Sequence, residues 1–437
     1  MSYFQLSVSL VLIRKKTRID EDIANKIKKE FNTMLRKVLS KLEIPAHPLL
    51  GPNLNALKFS GLWRLQNNVH KYICNALLVY ITINVLCQYI ELFILRFVII
   101  RALRNLSFTT LSTVTVFKAH TFIFWRKDWE KIMTYASTLE KSQLDSNELG
   151  TKIVIAKYTK YSRAVTYFYW SLATATSFIV FLSPFIGFMT SAPEHRELIR
   201  NGSQPYPEIL STWMPFDKSR GFGYLCSVIR DFFICGYTSL LIAVYDSNAV
   251  VVMIFFAGQL NILRNNCANI FGDYLSDELA KERLRNCHYH HIGLVRYSKI
   301  FNSLLSPVLF SYVIVCSLMI CTSAIQLARD DTSRIQSIWI AEYLVALIAQ
   351  LFLYCWHGNE VLYMSEQVDG GVYASNWCSS SLPLRRSVAL LAGQLKKRIV
   401  FTAGWFTNVN VPTFIAVSYV FIKSSICVSA PNINLFQ

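Results

Sequence analysis

The sequence predicts an all-α membrane protein of seven transmembrane helices, with a cytoplasmic N-terminus and an extracellular C-terminus. Three observations carry that expectation. Hydrophobic residues make up 53% of the 437 residues, charged residues only 16%, and the mean hydropathy is +0.33; a soluble domain carries about 25% charged residues. Several apolar runs reach the length of about 20 residues that a bilayer core requires. The net charge of +17 is concentrated outside those runs, much of it in the first seventy residues. That placement suits an anionic leaflet better than a nucleic-acid groove.

The runs can be taken in order. Tyr72 to Leu95 holds one acid, Glu91, and forms the first span. Ala102 to Phe124 is weaker, bearing Arg104 and Lys118. Ala164 to Ser191 has no charged residue and no histidine. Phe222 to Phe256 is again polar-streaked, with Arg230, Asp231 and Asp246. Ile300 to Ala328 is free of acids and of Lys and Arg, Gln336 to Tyr363 holds Glu342 and Glu360, and Ile399 to Ile422 is uncharged. A charge facing lipid is costly, so the two streaked spans should turn their charges into the bundle.

Loop charge sets the orientation. Arg14, Lys15, Lys16, Arg18, Lys26, Lys28 and Lys29 begin a basic N-terminal segment, which favours the cytoplasm. The loop from Ser191 to Asp217 shows no positive excess and contains the sequon Asn201-Gly202-Ser203, which places Asn201 as a glycosylation candidate on the outer side. Leu6 to Ile13 is apolar but lacks a preceding basic region and a cleavage site, so no signal peptide is expected. The eleven cysteines are scattered through predicted spans and read as small apolar residues. Cys287, His288, His290 and His291 sit together, yet no second pair at zinc spacing follows, so a polar lead-in to the fifth span is the better reading. No phosphate-binding loop, nucleophile elbow, zinc-protease or dinucleotide motif is present, so the chain is not expected to be an enzyme or to need a cofactor.

The last eighty residues carry a more specific pattern. Tyr373, Ser375, Asn376 and Trp377 precede Leu382, Pro383, Leu384, Arg385 and Arg386; Thr402-Ala403-Gly404 follows, and Phe414 stands ten residues beyond the glycine. This resembles the C-terminal signature of the insect odorant receptor family. Gly61-Leu62-Trp63, Trp213-Met214-Pro215-Phe216-Asp217, the trio Asp246, Gln259 and Leu260, and the run from Leu351 to Glu360 are similar to further segments of that family in the same order. In the final span, Ile422 and Lys423 stand where the family places a Tyr-Ser-like pair.

The resemblance implies the odorant receptor channel fold and a ligand-gated non-selective cation channel. It implies a heterotetramer with the common odorant co-receptor, Orco, in the plasma membrane of olfactory sensory neurons. The co-receptor itself is disfavoured, because only about forty residues separate Phe256 from Lys299, too few for that subunit's long insertion. The implied organisation is a cytoplasmic lead-in over 1–71, six spans with the odorant pocket over 72–363, an anchor helix over 364–400, and a pore-lining last span with the extracellular C-terminus over 401–437. Tyr373, Trp377, Arg385 and Arg386 are candidate subunit-anchor residues, and Lys423 and Cys427 candidate pore residues. A small volatile ligand needs a mostly apolar pocket with few polar groups. In the outer half of the bundle the candidates are Phe178 and Phe181 on the third span, Tyr224, Phe232 and Phe233 on the fourth, Met319 on the fifth, and Trp339 and Tyr343 on the sixth. The hydroxyls of Tyr224 and Tyr343 suit an ester, aldehyde or alcohol oxygen. A gustatory-type channel of the same superfamily is the alternative, though its terminal motif is missing. A G-protein-coupled receptor would have its N-terminus outside, and a transporter would show broken helices and internal repeats.

Overall fold

The computed structural model describes residues 42–44, 47–63, 68–146, 148–201, 203–271, 276–327 and 334–419. A short α1 (Gly51–Phe59) precedes α2 (Asn68–Ile94), and a 3-10 turn at Leu95–Phe97 leads into α3 (Ile99–Phe124). Then follow α4 (Arg126–Asp145), α5 (Leu149–Thr190) and α6 (Pro193–Arg200). Three further long helices are α7 (Gly221–Ala268), α8 (Asp277–Leu327) and α9 (Arg334–Glu366). The chain continues through α10 (Val368–Tyr373), a 3-10 turn at Trp377–Ser379 and α11 (Leu382–Leu395). A two-stranded hairpin, β1 (Thr402–Ala403) with β2 (Thr407–Asn408), precedes a last helix, α12, over residues 411–419. Five helices among the described residues, α2, α5, α7, α8 and α9, are long and apolar enough to cross a membrane.

The bundle is built around α7. Its stretch from Leu241 to Leu263 is buried on nearly all sides, and its sequence says why. Ala249 to Phe256 has no polar face, and a helix apolar all round belongs in a core. At 1.5 Å per residue its 48 residues run about 70 Å, more than twice a hydrocarbon core of about 30 Å. The long helices therefore project beyond the membrane at one end, where α4, α10 and α11 pack around them. We call this the anchor end. The outer face of α2, with Tyr72, Val79, Ile83, Leu86 and Phe93 exposed, has the composition of a lipid-facing surface, while Leu78, Ile81 and Val85 turn inward.

α3 carries Arg101, Arg104 and Lys118 and many hydroxyls, yet it lies within the bundle. Thr110, Thr113 and Thr115 each donate to the carbonyl four residues back, at 2.7, 2.7 and 2.9 Å. Ser107 also meets Thr322 of α8 at 3.1 Å. Hydroxyls satisfied on their own helix enter an apolar interior at little cost. Lys118 and these hydroxyls are thus turned inward, as the sequence predicts for Lys118, whereas Arg101 is exposed and the Arg104 side chain lies outside the described residues.

The uncharged run Ile399–Ile422 is not helical throughout. Its first part forms the hairpin, and the helix begins only at residue 411. The Thr402-Ala403-Gly404 triplet docks this hairpin on α8. The Thr402 amide donates to Asn302 Oδ1 at 2.8 Å, and the Gly404 amide to Ser306 Oγ at 3.0 Å. Gly404 has φ +68°, and a Cβ there would lie 2.7 Å from the Phe310 ring. Only glycine fits both demands.

At the anchor end a polar set joins α4, α5, α7, α8 and the segment before α1. Tyr158 of α5 donates to Glu140 Oε1 of α4 at 2.6 Å, and the Leu49 amide approaches Glu140 Oε2 at 3.4 Å. Gln259 of α7 donates to the Tyr158 oxygen at 3.3 Å, exchanges bonds of 2.8 Å with Gln143, and meets His290 Nε2 at 3.0 Å. Burial pushes the Glu140 carboxyl up to about 7, against the smaller opposing effect of its hydrogen bonds and of Arg163. The folded state therefore holds a proton that the unfolded state releases near 4.5. Stability is greatest below that lower value, falls as pH rises between the two, and above about 7 carries the full penalty of roughly 3 kcal/mol. Glu140→Gln should remove this slope: between pH 5 and 8 the wild-type unfolding temperature should decline relative to that of the variant. Parallel pH profiles for the two proteins would contradict it.

Candidate ligand-binding site

At the end of the bundle away from the anchor, α3, α5, α7 and α9 line a partly open cavity of about 130 Å³. Phe108, Leu111, Leu172, Val180, Ile234 and Leu347 supply most of its apolar wall. No Lys, Arg, Asp or Glu lines it. Apolar cavities near this size hold a benzene-sized guest. Ser112, Thr115, Thr176, Ser177, Thr238 and Ser239 also line it, together with Tyr169 and Tyr343.

The roof is Leu210, in the segment between α6 and α7. Its amide donates to Asp231 Oδ2 at 3.3 Å, and Arg230 holds the other carboxylate oxygen at 2.5 Å. Lys218 fastens the same segment between Glu91 at 3.1 Å and Glu208 at 3.3 Å, and donates to the Thr212 carbonyl at 2.9 Å. The Trp213 amide reaches the Cys87 carbonyl of α2 at 3.3 Å. The loop is thus tied to the bundle by charge and backbone as well as by the apolar packing of Ile209 and Leu210 on Ile234.

The floor is Tyr169 and Gln350. Each turns its polar end downward to Asp246 Oδ2, Tyr169 through its hydroxyl at 2.8 Å and Gln350 through Nε2. The other carboxylate oxygen takes Lys118 Nζ at 2.6 Å and the Tyr354 hydroxyl at 2.6 Å. Lys118 and Asp246 are each 2% exposed. The rings of Tyr245, Tyr312 and Tyr354 surround the ammonium, with centroids 5.7, 4.9 and 5.9 Å away. A buried ion pair survives when every remaining lone pair and proton is used, and a cation over aromatic faces adds to that.

The residues chosen from sequence fall in several places. Tyr343 lines the cavity and tilts against Phe108, with ring centroids 6.2 Å apart. Its hydroxyl points to Met319 Sδ at 3.6 Å, so Met319 stands behind the wall rather than in it. Phe178, Phe181 and Phe232 line a neighbouring groove of about 400 Å³ that shares Ser177, Cys235 and Ser239 with the cavity. Phe233 is largely exposed. Tyr224 stacks on Tyr206 and donates to the Pro207 carbonyl at 3.3 Å, bracing the loop instead. Trp339 is on α9, its side chain outside the described residues, as are Lys423 and Cys427. Asn201 ends α6 and is exposed. Tyr373, Arg385 and Arg386 are exposed at the anchor end, while Trp377 packs on the core. Sequence reasoning missed Tyr169, Gln350 and Thr176. The one available signal was their place inside otherwise apolar runs.

A bundle of helices long and apolar enough to cross a membrane, around a small uncharged cavity, defines a multi-pass membrane protein. A family profile described as "7tm Odorant receptor" matches residues 99–420. The chain belongs to this odorant receptor family. It is 28% identical over 144 residues to Odorant receptor 94a of Drosophila melanogaster, covering 32% of this chain and 37% of that one. It is 29% identical over 124 residues to Odorant receptor 82a of the same species, covering 28% and 32%. These matches span about a third of each relative's length. The fold is similar to that of the insect olfactory receptor OR5 from Machilis hrabei in complex with eugenol. The TM-score is 0.70 at 20% identity, covering 92% of this chain and 99% of that one.

Lys118→Met leaves Asp246 buried without its counter-charge, and should cost about 3–5 kcal/mol of folding stability. The double variant Lys118→Met with Asp246→Asn, which removes the charge and keeps an acceptor for Tyr169, Gln350 and Tyr354, should recover much of that loss. The check is the unfolding temperature and yield of the purified proteins; a double variant no better than the single would contradict the account.

Proposed function

We propose that this chain is the odorant-binding subunit of a ligand-gated, non-selective cation channel in the plasma membrane of olfactory sensory neurons. The observation that carries the reading is the roofed, uncharged cavity whose floor is shared with the buried Lys118–Asp246 cluster. A small volatile fits its size, and binding there bears directly on the contacts that hold α3, α5, α7 and α9 together. A ligand shifts a conformational equilibrium only through contacts that differ between the two states, and the floor residues supply such contacts.

In this reading the N-terminus is cytoplasmic and the cavity lies in the outer half of the membrane. Tyr373, Trp377, Arg385 and Arg386 mark the surface where subunits meet. The hairpin tip supports an oligomer too, since Trp405 is 95% exposed and Phe406 85%, and large exposed aromatics of this kind mark contact sites. The co-receptor is the proposed partner in a heterotetramer. Lys423 and Cys427, beyond the described residues, are the proposed pore residues, in a channel that an apolar ring closes by dewetting.

The deciding experiment is whole-cell current under a panel of volatiles, with this chain expressed alone and together with an insect odorant co-receptor. Odorant-evoked cation current only with the partner is expected. Current carried by the chain alone would replace the heteromer with a self-sufficient channel, and a G-protein-dependent response without direct current would overturn the channel reading. Lys423→Ala should alter ion permeability or current amplitude if that residue faces the pore.

A further inference from the structure

We infer that the cavity selects ligands that donate a hydrogen bond, alcohols and phenols, over esters, ketones and aldehydes of the same size. The inference rests on the reading of this cavity as the ligand site and names the chemistry it accepts. Most protons of the lining groups are already engaged. Tyr169 spends its hydroxyl proton on Asp246 Oδ2 at 2.8 Å. Gln350 must point Nε2 at the same carboxylate, because the amide oxygen would be repelled there. That requirement turns Gln350 Oε1 away from Asp246, and the floor shared by the two residues is left with oxygens that accept.

The walls repeat the pattern. Ser177 donates across to the Cys235 carbonyl at 3.2 Å, and Ser239 to the Ala173 carbonyl at 2.9 Å. Thr176 donates to Glu342 Oε1 at 2.9 Å, Thr238 to the Ile234 carbonyl at 2.7 Å, and Thr115 to the Leu111 carbonyl at 2.9 Å. Each hydroxyl has one proton and two acceptor positions, so what remains for a guest is acceptor capacity. Two protons stand on the other side of the account. The Tyr343 hydroxyl rests on a thioether at 3.6 Å, a weak acceptor. Ser112 sits on α3, where Thr110, Thr113 and Thr115 all turn their hydroxyls to the helix backbone. Acceptors thus outnumber the donors a carbonyl ligand requires.

A carbonyl placed against Gln350 Oε1 and the Tyr169 oxygen leaves all these acceptors unpaired and adds another. A hydroxyl pairs one of them and can accept in turn from Ser112. An amine would also donate, but as an ammonium it would enter a cavity lined by no carboxylate, and Asp246 is already neutralised by Lys118. Desolvation of that charge disfavours it. The preference is imposed from below: the ion pair beneath the floor fixes which way Gln350 and Tyr169 face.

The test measures binding, separately from current. The full-length chain in lipid nanodiscs is titrated with hexanol, hexanal and methyl pentanoate, which have equal carbon number, and the ligand-induced rise in unfolding temperature is read. Hexanol should half-saturate at a concentration roughly tenfold below methyl pentanoate, the scale of one unpaired buried polar group. Gln350→Met should shrink that gap. Ser239→Ala should shrink it too, and it leaves every contact of Asp246 in place, so it remains informative if Gln350→Met fails to fold. Tyr343→Phe, which removes one of the two protons open to a carbonyl ligand, should not shrink the gap and should widen it if carbonyl ligands use that proton. Equal binding of the three ligands, an ester or aldehyde preference, or a gap that survives both Gln350→Met and Ser239→Ala would overturn the inference. Binding of none of the three would overturn the cavity as the ligand site. Hexanol-selective binding without any odorant-evoked current would uphold the inference and refute the channel.

Discussion

Asp246 is the constraint on which the membrane half of this protein depends. It is a carboxylate at 2% exposure, on the helix that the other long helices surround. An unpaired charge there would cost several kcal/mol, so its four donors are required partners. They come from α3 (Lys118), α5 (Tyr169) and α9 (Gln350 and Tyr354), while Tyr312 of α8 covers the lysine with its ring. Packing alone between apolar helices in lipid has little directional preference. A buried ion pair with a full set of hydrogen bonds has a strong one, and it sets which face of each helix turns inward and at what depth.

A second polar hub sits lower on the same helix. Gln259 is bonded to Tyr158 of α5, as Asp246 is to Tyr169 of α5. The pair α5 and α7 is therefore stitched at two depths, about 20 Å apart along the axis at 1.5 Å per residue. Trp170 adds a bond to Ser247 at 3.0 Å near the upper hub. Gly258 lets Tyr158 lie against α7 beside the lower one, for a Cβ there would come within 2.3 Å of the ring. The two helices are thus bonded to each other at two levels, with α3 and α9 joined to them at the upper hub and α9 also through Thr176–Glu342 and Tyr161–His357.

Much of this was legible in the sequence, and the limits have physical causes. Lys118 and Asp246 broke otherwise apolar runs, and the cost of a charge in lipid was enough to turn both inward. Gln259 and Asp246 were also conspicuous in the family-like pattern. The cavity was less legible. Aromatic residues at helical spacing cannot tell an inward face from a lipid face, because lipid is as apolar as a core. Phe178, Phe232 and Phe233 were chosen on that basis and prove half-exposed or more. The true floor residues are polar groups whose partners lie on other helices, and which helices adjoin is a property of the assembled bundle. The hairpin hid for another reason. Its residues are uncharged, so hydropathy reads them as membrane span, and only the Gly404 docking on Ser306 and Phe310 explains why the chain turns there.

The division into a stitched core and attached helices also bears on how a small guest can act at a distance. α5 and α7 cannot part at the floor without breaking Tyr169–Asp246, and they are held again at Gln259. α9 reaches the same carboxylate through Gln350 and Tyr354, and it is held to α5 again at Thr176–Glu342, 2.9 Å, and at Tyr161–His357, 3.2 Å. Below that, α9 runs on to Glu366 and α10, which packs against α7 near Arg264, where a Cβ on Gly371 would lie 2.3 Å from the Arg264 carbonyl. In the proposed reading a ligand at the floor meets Gln350 of α9, and Phe352 of the same helix packs on Phe414 of α12 with ring centroids 5.3 Å apart. A shift of α9 at the floor would then be mechanically placed to reach the start of the final helix.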